Sequence, residues 1–212
     1  MVNIKTFVFN PFMENTYVLY DRSGECIIID AGCHEAPERA ELEDFIEENH
    51  LNPVRLVNTH CHIDHVLGVA YLKDKFEIPF SIHRSEEKIL KATPMQGTFF
   101  GIDPGRVAEP DHFLEDGDAL SFGESSLMAI HVPGHSPGSL VLHFPEDGFL
   151  IAGDVLFSGS IGRTDLPGGD HETLIRSIHD KLLVLDNGTR VYPGHGQDTT
   201  IGLERDHNPF LR

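Results

Sequence analysis

Apolar segments separated by turn signals dominate the first sixty positions of the chain. The segments 2–9, 16–20 and 25–30 are divided by Asn-Pro and Ser-Gly pairs, which are typical of turns, and they predict three successive strands. Apolar residues at helical spacing within 39–49, with acidic residues on the opposite side, predict an amphipathic helix. The apolar segment 54–57 follows and predicts a buried strand.

Helical and extended patterns alternate in the remainder of the chain. Helices are predicted at 66–76, at 85–91, at 171–183 and from Thr199. Several short strands are predicted after Asp116, and a last strand is predicted around Val191. Strands followed by alternating strands and helices, in two halves, favour a layered α/β or α+β domain.

Periodicity is lost between 93 and 113, where Met95, Phe99 and Phe100 stand among prolines and glycines. We predict a loop in this segment. Two interpretations stay open: a surface loop that packs its own aromatic side chains, or a lid or wall of a substrate site. The second has physical support because long loops in compact domains are often functional.

Length and composition predict one globular domain over 1–212. The chain has 40% hydrophobic and 24% charged residues, which is ordinary for a globular protein. It contains no run of about 18 apolar residues, and its first residues enter a strand-like segment without a secretory signal pattern. We therefore expect a cytoplasmic protein without a membrane partner.

Charge and cysteine content restrict the partners further. The chain has 34 acidic and 16 basic residues, a formal net charge of −18 at pH 7, and such a surface repels polyanions. This charge weighs against a nucleic-acid enzyme. The three cysteines are an odd number without zinc-finger spacing, so we expect reduced thiols rather than a disulfide framework.

A short histidine-rich segment carries the strongest chemical signal in the sequence. Residues 60–65 read His-Cys-His-Ile-Asp-His and place three imidazoles and one carboxylate within six positions. Imidazole and carboxylate suit zinc, iron or manganese, and this density is typical of a site that holds more than one ion. On an extended segment Cys61 points away from His60 and His62, so we expect that it does not bind metal.

Three later residues are candidates for the remaining ligands. Each lies in a Gly- or Pro-flanked turn directly after an apolar segment, where a rigid scaffold can aim side chains at a common point. These residues are His135, Asp154 and His195.

Six or seven nitrogen and oxygen ligands divide naturally into two sets that share one carboxylate. In such two-metal sites the ions lie roughly 3.5–4 Å apart, and the pKa of the water that they share falls to about 7. The resulting hydroxide is a nucleophile at neutral pH, so hydrolysis of an ester, a thioester or an amide is the simplest reaction. The sequence contains no Gly-x-Ser-x-Gly elbow and no Walker loop, and a structural zinc site would be richer in cysteine.

Four motifs, taken together, resemble those of the metallo-β-lactamase fold superfamily, in particular hydroxyacylglutathione hydrolases (glyoxalase II). They are His60-Cys-His-Ile-Asp-His65, Gly-His135-Ser-Pro-Gly-Ser, Gly-Asp154 and Gly-His195-Gly. The resemblance implies an αββα four-layer sandwich with the metal site at one edge of the two sheets. It implies two divalent ions, with zinc expected and iron or manganese as alternatives. A hydroxide that bridges the ions would be the nucleophile.

The resemblance also implies a role for each candidate ligand. The first ion would be held by His60, His62 and His135. The second ion would be held by Asp64, His65 and His195. Asp154 would bridge the two ions, and Asp64 would in addition orient the water, so that both carboxylates are catalytic. Thr59 would support the ligands through hydrogen bonds.

Two departures from full-length glyoxalase II concern the substrate. The chain ends soon after the last ligand, without the C-terminal helical domain that supplies basic residues to glutathione, and the segment after His135 lacks the glyoxalase II tyrosine. The sequence is more similar to short single-domain bacterial glyoxalase II-like hydrolases, through the segments 162–170 and 199–210. The expected substrate is a small thioester, S-lactoylglutathione or a related acyl-thiol. A homodimer stays open.

Other functions share parts of these motifs. Gly162-Arg163-Thr164-Asp165 also occurs in persulfide dioxygenases, which resemble glyoxalase II but use one iron held by two histidines and an aspartate. Gly194-His195-Gly196 favours the hydrolases. Arg163 is expected either to pair with Asp165 or to contact an anionic substrate group. A lactonase-type hydrolase is a third alternative, for which the sequence has no discriminating feature.

Overall fold

The structure is a computed structural model that describes residues 1–212. A first sheet contains six strands in the order β1-β2-β3-β4-β5-β6. Their bounds are Asn3–Phe9 (β1), Glu14–Tyr20 (β2), Glu25–Ile29 (β3), Asn52–Val57 (β4), Phe80–His83 (β5) and His112–Leu114 (β6). The first three strands are antiparallel, and β3 to β6 are parallel.

A second sheet also contains six strands, in the order β14-β13-β10-β9-β8-β7. Their bounds are Ala119–Phe122 (β7), Ser125–His131 (β8), Leu140–Phe144 (β9), Phe149–Gly153 (β10), Arg190–Pro193 (β13) and Thr199–Thr200 (β14). Only β10 and β13 pair in parallel. A small separate hairpin joins β11, Leu156–Phe157, to β12, Ser160–Ile161.

Seven α-helices connect or flank the strands. They are Ala36–Glu48 (α1), Ile63–Val66 (α2), Val69–Phe76 (α3), Glu87–Lys91 (α4), Thr93–Phe100 (α5), His171–Ser177 (α6) and Ile201–His207 (α7). A 3-10 turn at Arg84–Glu86 precedes α4, and a π-helical turn at Ile178–Leu182 extends α6. No helix is both long enough and apolar enough to cross a bilayer.

Strand β3 illustrates how the sequence produces layers. Its residues Ile27 and Ile29 face the second sheet, whereas Cys26 and Ile28 face the helices on the outer side. Because successive side chains of a strand point to opposite faces, a continuous apolar segment indicates burial on both sides. The strand therefore contributes to two cores at once.

Helices cover the outer face of each sheet. Leu42 of α1 packs in the core of the first sheet, and Leu174 of α6 packs in the core of the second, together with Ile201 of α7. The inner faces of the two sheets share a third core. This helix–sheet–sheet–helix order confirms the predicted αββα four-layer sandwich.

Most predicted elements are confirmed, but the loop predicted at 93–113 is wrong at both ends. The segment begins with α5 and ends in β6, and residues 101–111 between them are in neither a helix nor a strand. Helix α5 has a proline in its first turn and ends at Gly101, whose φ of 69° is left-handed. Helical periodicity reports the burial of one face, and Phe99 of this helix is 83% exposed, so the pattern is absent.

The helix predicted at 66–76 is also divided. Helix α2 ends at Val66, and α3 begins at Val69. The chain between them packs against Cys33, since a Cβ on Gly68 would lie 2.8 Å from the Cys33 carbonyl oxygen. This close approach explains the glycine at the break.

A buried carboxylate links the two sheets at one end. Asp21, at the turn between β2 and β3, accepts hydrogen bonds from the Ser23 amide and hydroxyl at 2.9 and 2.6 Å. It also accepts from the Glu124 amide and the Ser125 hydroxyl, both at 2.7 Å, in the turn between β7 and β8. Burial opposes ionisation, but these hydrogen bonds outweigh it and lower the pKa of Asp21 from 3.8 to about 2.

We expect Asp21→Asn to lower the free energy of unfolding by about 2 kcal/mol near pH 7, because amide and hydroxyl donors lose an ionised acceptor. The folded-state pKa is lowered, so this contribution is present above the ordinary pKa and is lost as the pH falls from about 4 towards 2. Urea denaturation of both proteins at about pH 7 and about pH 3 measures the change. A difference that is independent of pH would contradict it.

Candidate metal centre

The first group of predicted ligands lies on two loops at one edge of the sandwich. His60 and His62 follow the end of β4, and His135 follows the end of β8. His135 Nε2 lies 2.9 Å from His62 Nδ1 and 3.2 Å from His60 Nε2. All three rings are buried. Their nitrogens therefore converge at a spacing suited to one ion.

The second group lies beside the first. Asp64 and His65 are in α2, and His195 follows β13. Asp64 Oδ2 lies 3.1 Å from His195 Nε2 and 3.6 Å from His65 Nε2. The three ligand atoms lie within 4.8 Å of one another, which again suits one ion.

Asp154 lies between the two groups, directly after β10. Its Oδ2 is 3.7 Å from His135 Nε2 and 3.6 Å from His195 Nε2, and its Oδ1 is 3.5 Å from His65 Nε2. One carboxylate thus approaches nitrogens of both groups. The fold brings together all seven residues that the sequence singled out.

Three buried atoms of the candidate ligands have no hydrogen-bond partner. They are both ring nitrogens of His65 and Oδ1 of Asp154. A buried polar atom without a partner costs about 1–3 kcal/mol, and imidazole nitrogen and carboxylate oxygen are ligands of divalent cations. The residues present therefore fit a divalent metal.

Glycine at two ligand-bearing turns permits this close approach. A Cβ on Gly194 would overlap Asp154 Oδ1 and would lie 2.8 Å from His65 Cε1. Gly153 has a left-handed φ of 50°, and a Cβ there would overlap the Thr59 hydroxyl. The glycines that precede Asp154 and His195 are thus required by the packing of the centre.

Backbone carbonyl groups orient two of the imidazoles. His135 Nδ1 donates to the Arg163 carbonyl oxygen at 2.8 Å, and His195 Nδ1 donates to the Phe12 carbonyl oxygen at 3.1 Å. A proton on Nδ1 leaves the Nε2 lone pair of each ring directed into the centre. The hydrogen bonds therefore set the tautomer that can bind metal.

Asp30 supports two other ligands, and the sequence analysis missed it. It accepts from the Thr59 amide and hydroxyl at 2.7 and 2.6 Å, and its Oδ2 lies 3.2 Å from His65 Nδ1. The Thr59 hydroxyl in turn accepts from His60 Nδ1 at 3.2 Å. Asp30 directly follows β3, just as Asp154 directly follows β10. The criterion that selected Asp154, a polar residue directly after an apolar strand, therefore applies to Asp30 as well.

The electrostatics differ between the two ligand groups: in the second, burial lowers the pKa of His65 and of His195, but Asp64 and Asp154 outweigh burial and raise both pKa values. In the first group the ligand forms are favoured. Burial and neighbouring imidazoles lower the pKa of His60 well below its usual range, and burial with the nearby His135 lowers that of His62 to about 4. Burial raises the pKa of Asp154, but His65 outweighs that effect and the net shift is downward. Neutral imidazoles and an ionised carboxylate are the forms that coordinate metal.

The structure gives the contacts of two residues that flank the ligands. Arg163 pairs with Asp165 through two hydrogen bonds, at 2.7 Å from Nε and 2.8 Å from Nη2. Cys61 is buried in the outer core of the first sheet, on the side away from the imidazoles, and burial raises the pKa of its thiol well above the usual range. Its environment does not favour a metal ligand.

A patch of apolar side chains borders the centre, and we call it the apolar wall. It consists of half-buried Phe12 and of exposed Met13, Met95, Phe99 and Phe100. The rings of Phe12 and Phe100 meet edge to face, with centroids 5.1 Å apart. The Gln96 side chain of α5 accepts a hydrogen bond from the Ile63 amide at 3.1 Å, and Ile63 lies between the predicted ligands His62 and Asp64. The wall is thus tied to the segment that carries the metal ligands.

Comparison with known proteins agrees with this geometry. The family description "Metallo-beta-lactamase superfamily" matches residues 9–195, a range that includes all seven candidate ligands. The chain is 39% identical over 204 residues to the probable metallo-hydrolase YqgX of Bacillus subtilis (strain 168), covering 95% of this chain and 93% of that protein. It is 38% identical to hydroxyacylglutathione hydrolase GloC of Haemophilus influenzae, covering 99% of this chain and 98% of that protein.

Two solved structures are similar over nearly the whole chain. The crystal structure of BLEG-1 B3 metallo-beta-lactamase has a TM-score of 0.88 and 39% identity, covering 99% of each chain. The crystal structure of TTHA1623 in a di-iron-bound form has a TM-score of 0.88 and 36% identity, covering 98% of this chain and 100% of that chain. Sequence, layer order and ligand geometry lead to one conclusion: the chain belongs to the metallo-beta-lactamase superfamily.

Proposed function

We propose that the chain is a metal-dependent hydrolase of small thioesters, such as S-lactoylglutathione or a related acyl-thiol. The observation that carries this proposal is the position of Asp154, 3.5–3.7 Å from ring nitrogens of both ligand groups. A carboxylate shared by two groups is typical of a centre with two neighbouring ions. The likeness to GloC, which is named a hydroxyacylglutathione hydrolase, supports the substrate class.

In this proposal each group would hold one ion, and Asp154 would be a ligand shared by the two groups. The first group is His60, His62 and His135, and the second is Asp64, His65 and His195. Two such ions supply a Lewis acid for the carbonyl oxygen and lower the pKa of a shared water to about 7. We propose zinc; iron and manganese are the alternatives, and the di-iron form of TTHA1623 supports iron.

The protein contributes orientation and negative charge. Asp64 Oδ2 lies 3.1 Å from His195 Nε2. Burial raises the pKa of the Asp64 carboxyl, but His65 and His195 outweigh burial, and the net shift of that pKa is downward. An ionised Asp64 can accept a hydrogen bond from the attacking water and so fix its direction. Asp30 and the backbone carbonyls hold the imidazoles in place, so little reorganisation accompanies the reaction.

We further propose that residues 1–212 form one domain and that the protein is cytoplasmic. Two sheets with their covering helices account for 3–207, and three cores connect them. All three cysteines are free and buried, which suits a reducing compartment.

Loss of a shared or first-group ligand should abolish hydrolysis. We expect Asp154→Ala and His60→Ala to reduce turnover of S-D-lactoylglutathione to background, because the nucleophile depends on the bound ions. Asp44→Ala is the matched control, since Asp44 is an exposed carboxylate on α1. Activity that survives in either ligand variant, with the control unchanged, would refute the assignment.

Metal content separates the proposed function from its alternatives. Protein purified without added metal should contain two ions per chain and should hydrolyse the thioester without consuming oxygen. A single iron with oxygen uptake on glutathione persulfide, and no thioester turnover, would instead establish a persulfide dioxygenase. A β-lactam assay is the third arm, because BLEG-1 is named a B3 metallo-beta-lactamase.

The apolar wall should affect substrate binding more than chemistry. Phe99 is 83% exposed, so Phe99→Ser should leave stability unchanged and raise KM for the thioester by about fivefold, with kcat retained. The control is Leu203→Ser, an exposed apolar position on α7 that is 52% exposed. Steady-state kinetics of both variants and of the wild type tests this. A KM of Phe99→Ser equal to that of the wild type would contradict a role for the apolar wall.

A further inference from the structure

A buried carboxylate outside the ligand set joins the two loops of the first ligand group. Glu86 lies at the end of the 3-10 turn before α4, and its side chain is fully buried. Its Oε2 accepts from the Cys61 amide at 2.8 Å. Its Oε1 accepts from the Ser136 hydroxyl and the Gly138 amide, both at 2.7 Å. Both carboxylate oxygens are therefore occupied.

The groups that donate hydrogen bonds to Glu86 lie beside the predicted ligands in the sequence. Cys61 lies between His60 and His62, and Ser136 directly follows His135. One carboxylate thus holds the loop that carries two imidazoles at a fixed distance from the loop that carries the third. Glu86 belongs to none of the groups of potential metal ligands, so it acts on the centre only through these loops.

The loop after His135 packs directly on Glu86. A Cβ on Gly138 would lie 2.8 Å from Glu86 Cγ and 2.8 Å from His83 Nδ1, so a larger residue would push the loop away. The Ser136 amide also donates to the Ser139 hydroxyl at 3.1 Å, which closes the turn. The loop that follows His135 therefore packs closely against Glu86.

We propose that Glu86 is a positioning residue that holds His60, His62 and His135 at ligand spacing, and thereby sets the affinity of the first ion. The proposal rests on the metal centre proposed above. Glutamine in its place would keep the shape but turn an NH2 group towards an amide or hydroxyl donor. That donor would lose its acceptor, and the two loops would separate. Changes in groups that support metal ligands typically weaken metal binding by about 10–100-fold.

A second buried glutamate provides a matched control. Glu204 of α7 accepts from the Gly159 amide at 2.9 Å, the Asn208 side chain at 2.7 Å and the Thr199 hydroxyl at 2.5 Å. It has the same number of hydrogen bonds and is also buried, but none of its donors lies next to a predicted ligand in the sequence, unlike Cys61 and Ser136. Glu204→Gln should therefore lower stability without affecting metal affinity.

The test measures zinc affinity by competition for zinc between the protein and a chromogenic chelator. Urea denaturation of the same samples measures their stability. We expect both glutamine variants to lose stability, but only Glu86→Gln to have one of its two zinc affinities, that of the first ligand group, lowered by about 10–100-fold. Unchanged affinity in Glu86→Gln, or an equal loss in Glu204→Gln, would overturn the positioning role. Wild-type protein that binds no zinc, iron or manganese would overturn the metal centre itself.

A milder variant keeps the test decisive if Glu86→Gln does not fold. Ser136→Ala removes one hydroxyl donor from Glu86 Oε1 and leaves both amide donors in place. We expect it to fold and to bind zinc more weakly than wild type, though less so than the glutamine variant. Zinc affinity equal to that of wild type would refute the positioning role of Glu86.

Discussion

The structure depends on holding mutually repelling ligand atoms together in a buried space. Ring nitrogens of the first group lie 2.9–3.2 Å apart, and the Asp154 carboxylate faces nitrogens of both groups. Such an arrangement of lone pairs is unfavourable without a cation, so the surrounding fold must impose it. The hydrogen bonds that fix each ring, and the tight turns beneath them, are the means by which it does so.

Hydrogen bonds that cross from one sheet to the other support the centre, which lies at their common edge. The Phe12 carbonyl, in the turn between β1 and β2 of the first sheet, orients His195, which follows β13 of the second. Glu86, after β5 of the first sheet, accepts from the Ser136 hydroxyl and the Gly138 amide in the loop after β8 of the second. Correct packing of the two sheets is therefore a condition for the metal site.

The region beside the ligands has a different physical character. The apolar wall is largely exposed and lies on one helix and one turn, whereas the ligands are largely buried and come from loops of both sheets. Similar proteins carry different names, a hydroxyacylglutathione hydrolase and a B3 metallo-beta-lactamase, on one fold. In such superfamilies a common centre supplies the chemistry, and the surrounding surface selects the substrate.

The sequence alone determined the layered fold and all seven candidate ligands, because strand periodicity and turn glycines are local signals. Its prediction for 93–100 was wrong, since the residues that this helix buries are Thr93 and Gly97 while Phe99 is exposed, so no hydrophobic period marks the helix. Glu86 had no recognisable signal, because its donors are 25 and 50 or more positions away. Only the tertiary structure brings such groups into contact, and distance in space is what decides a hydrogen bond.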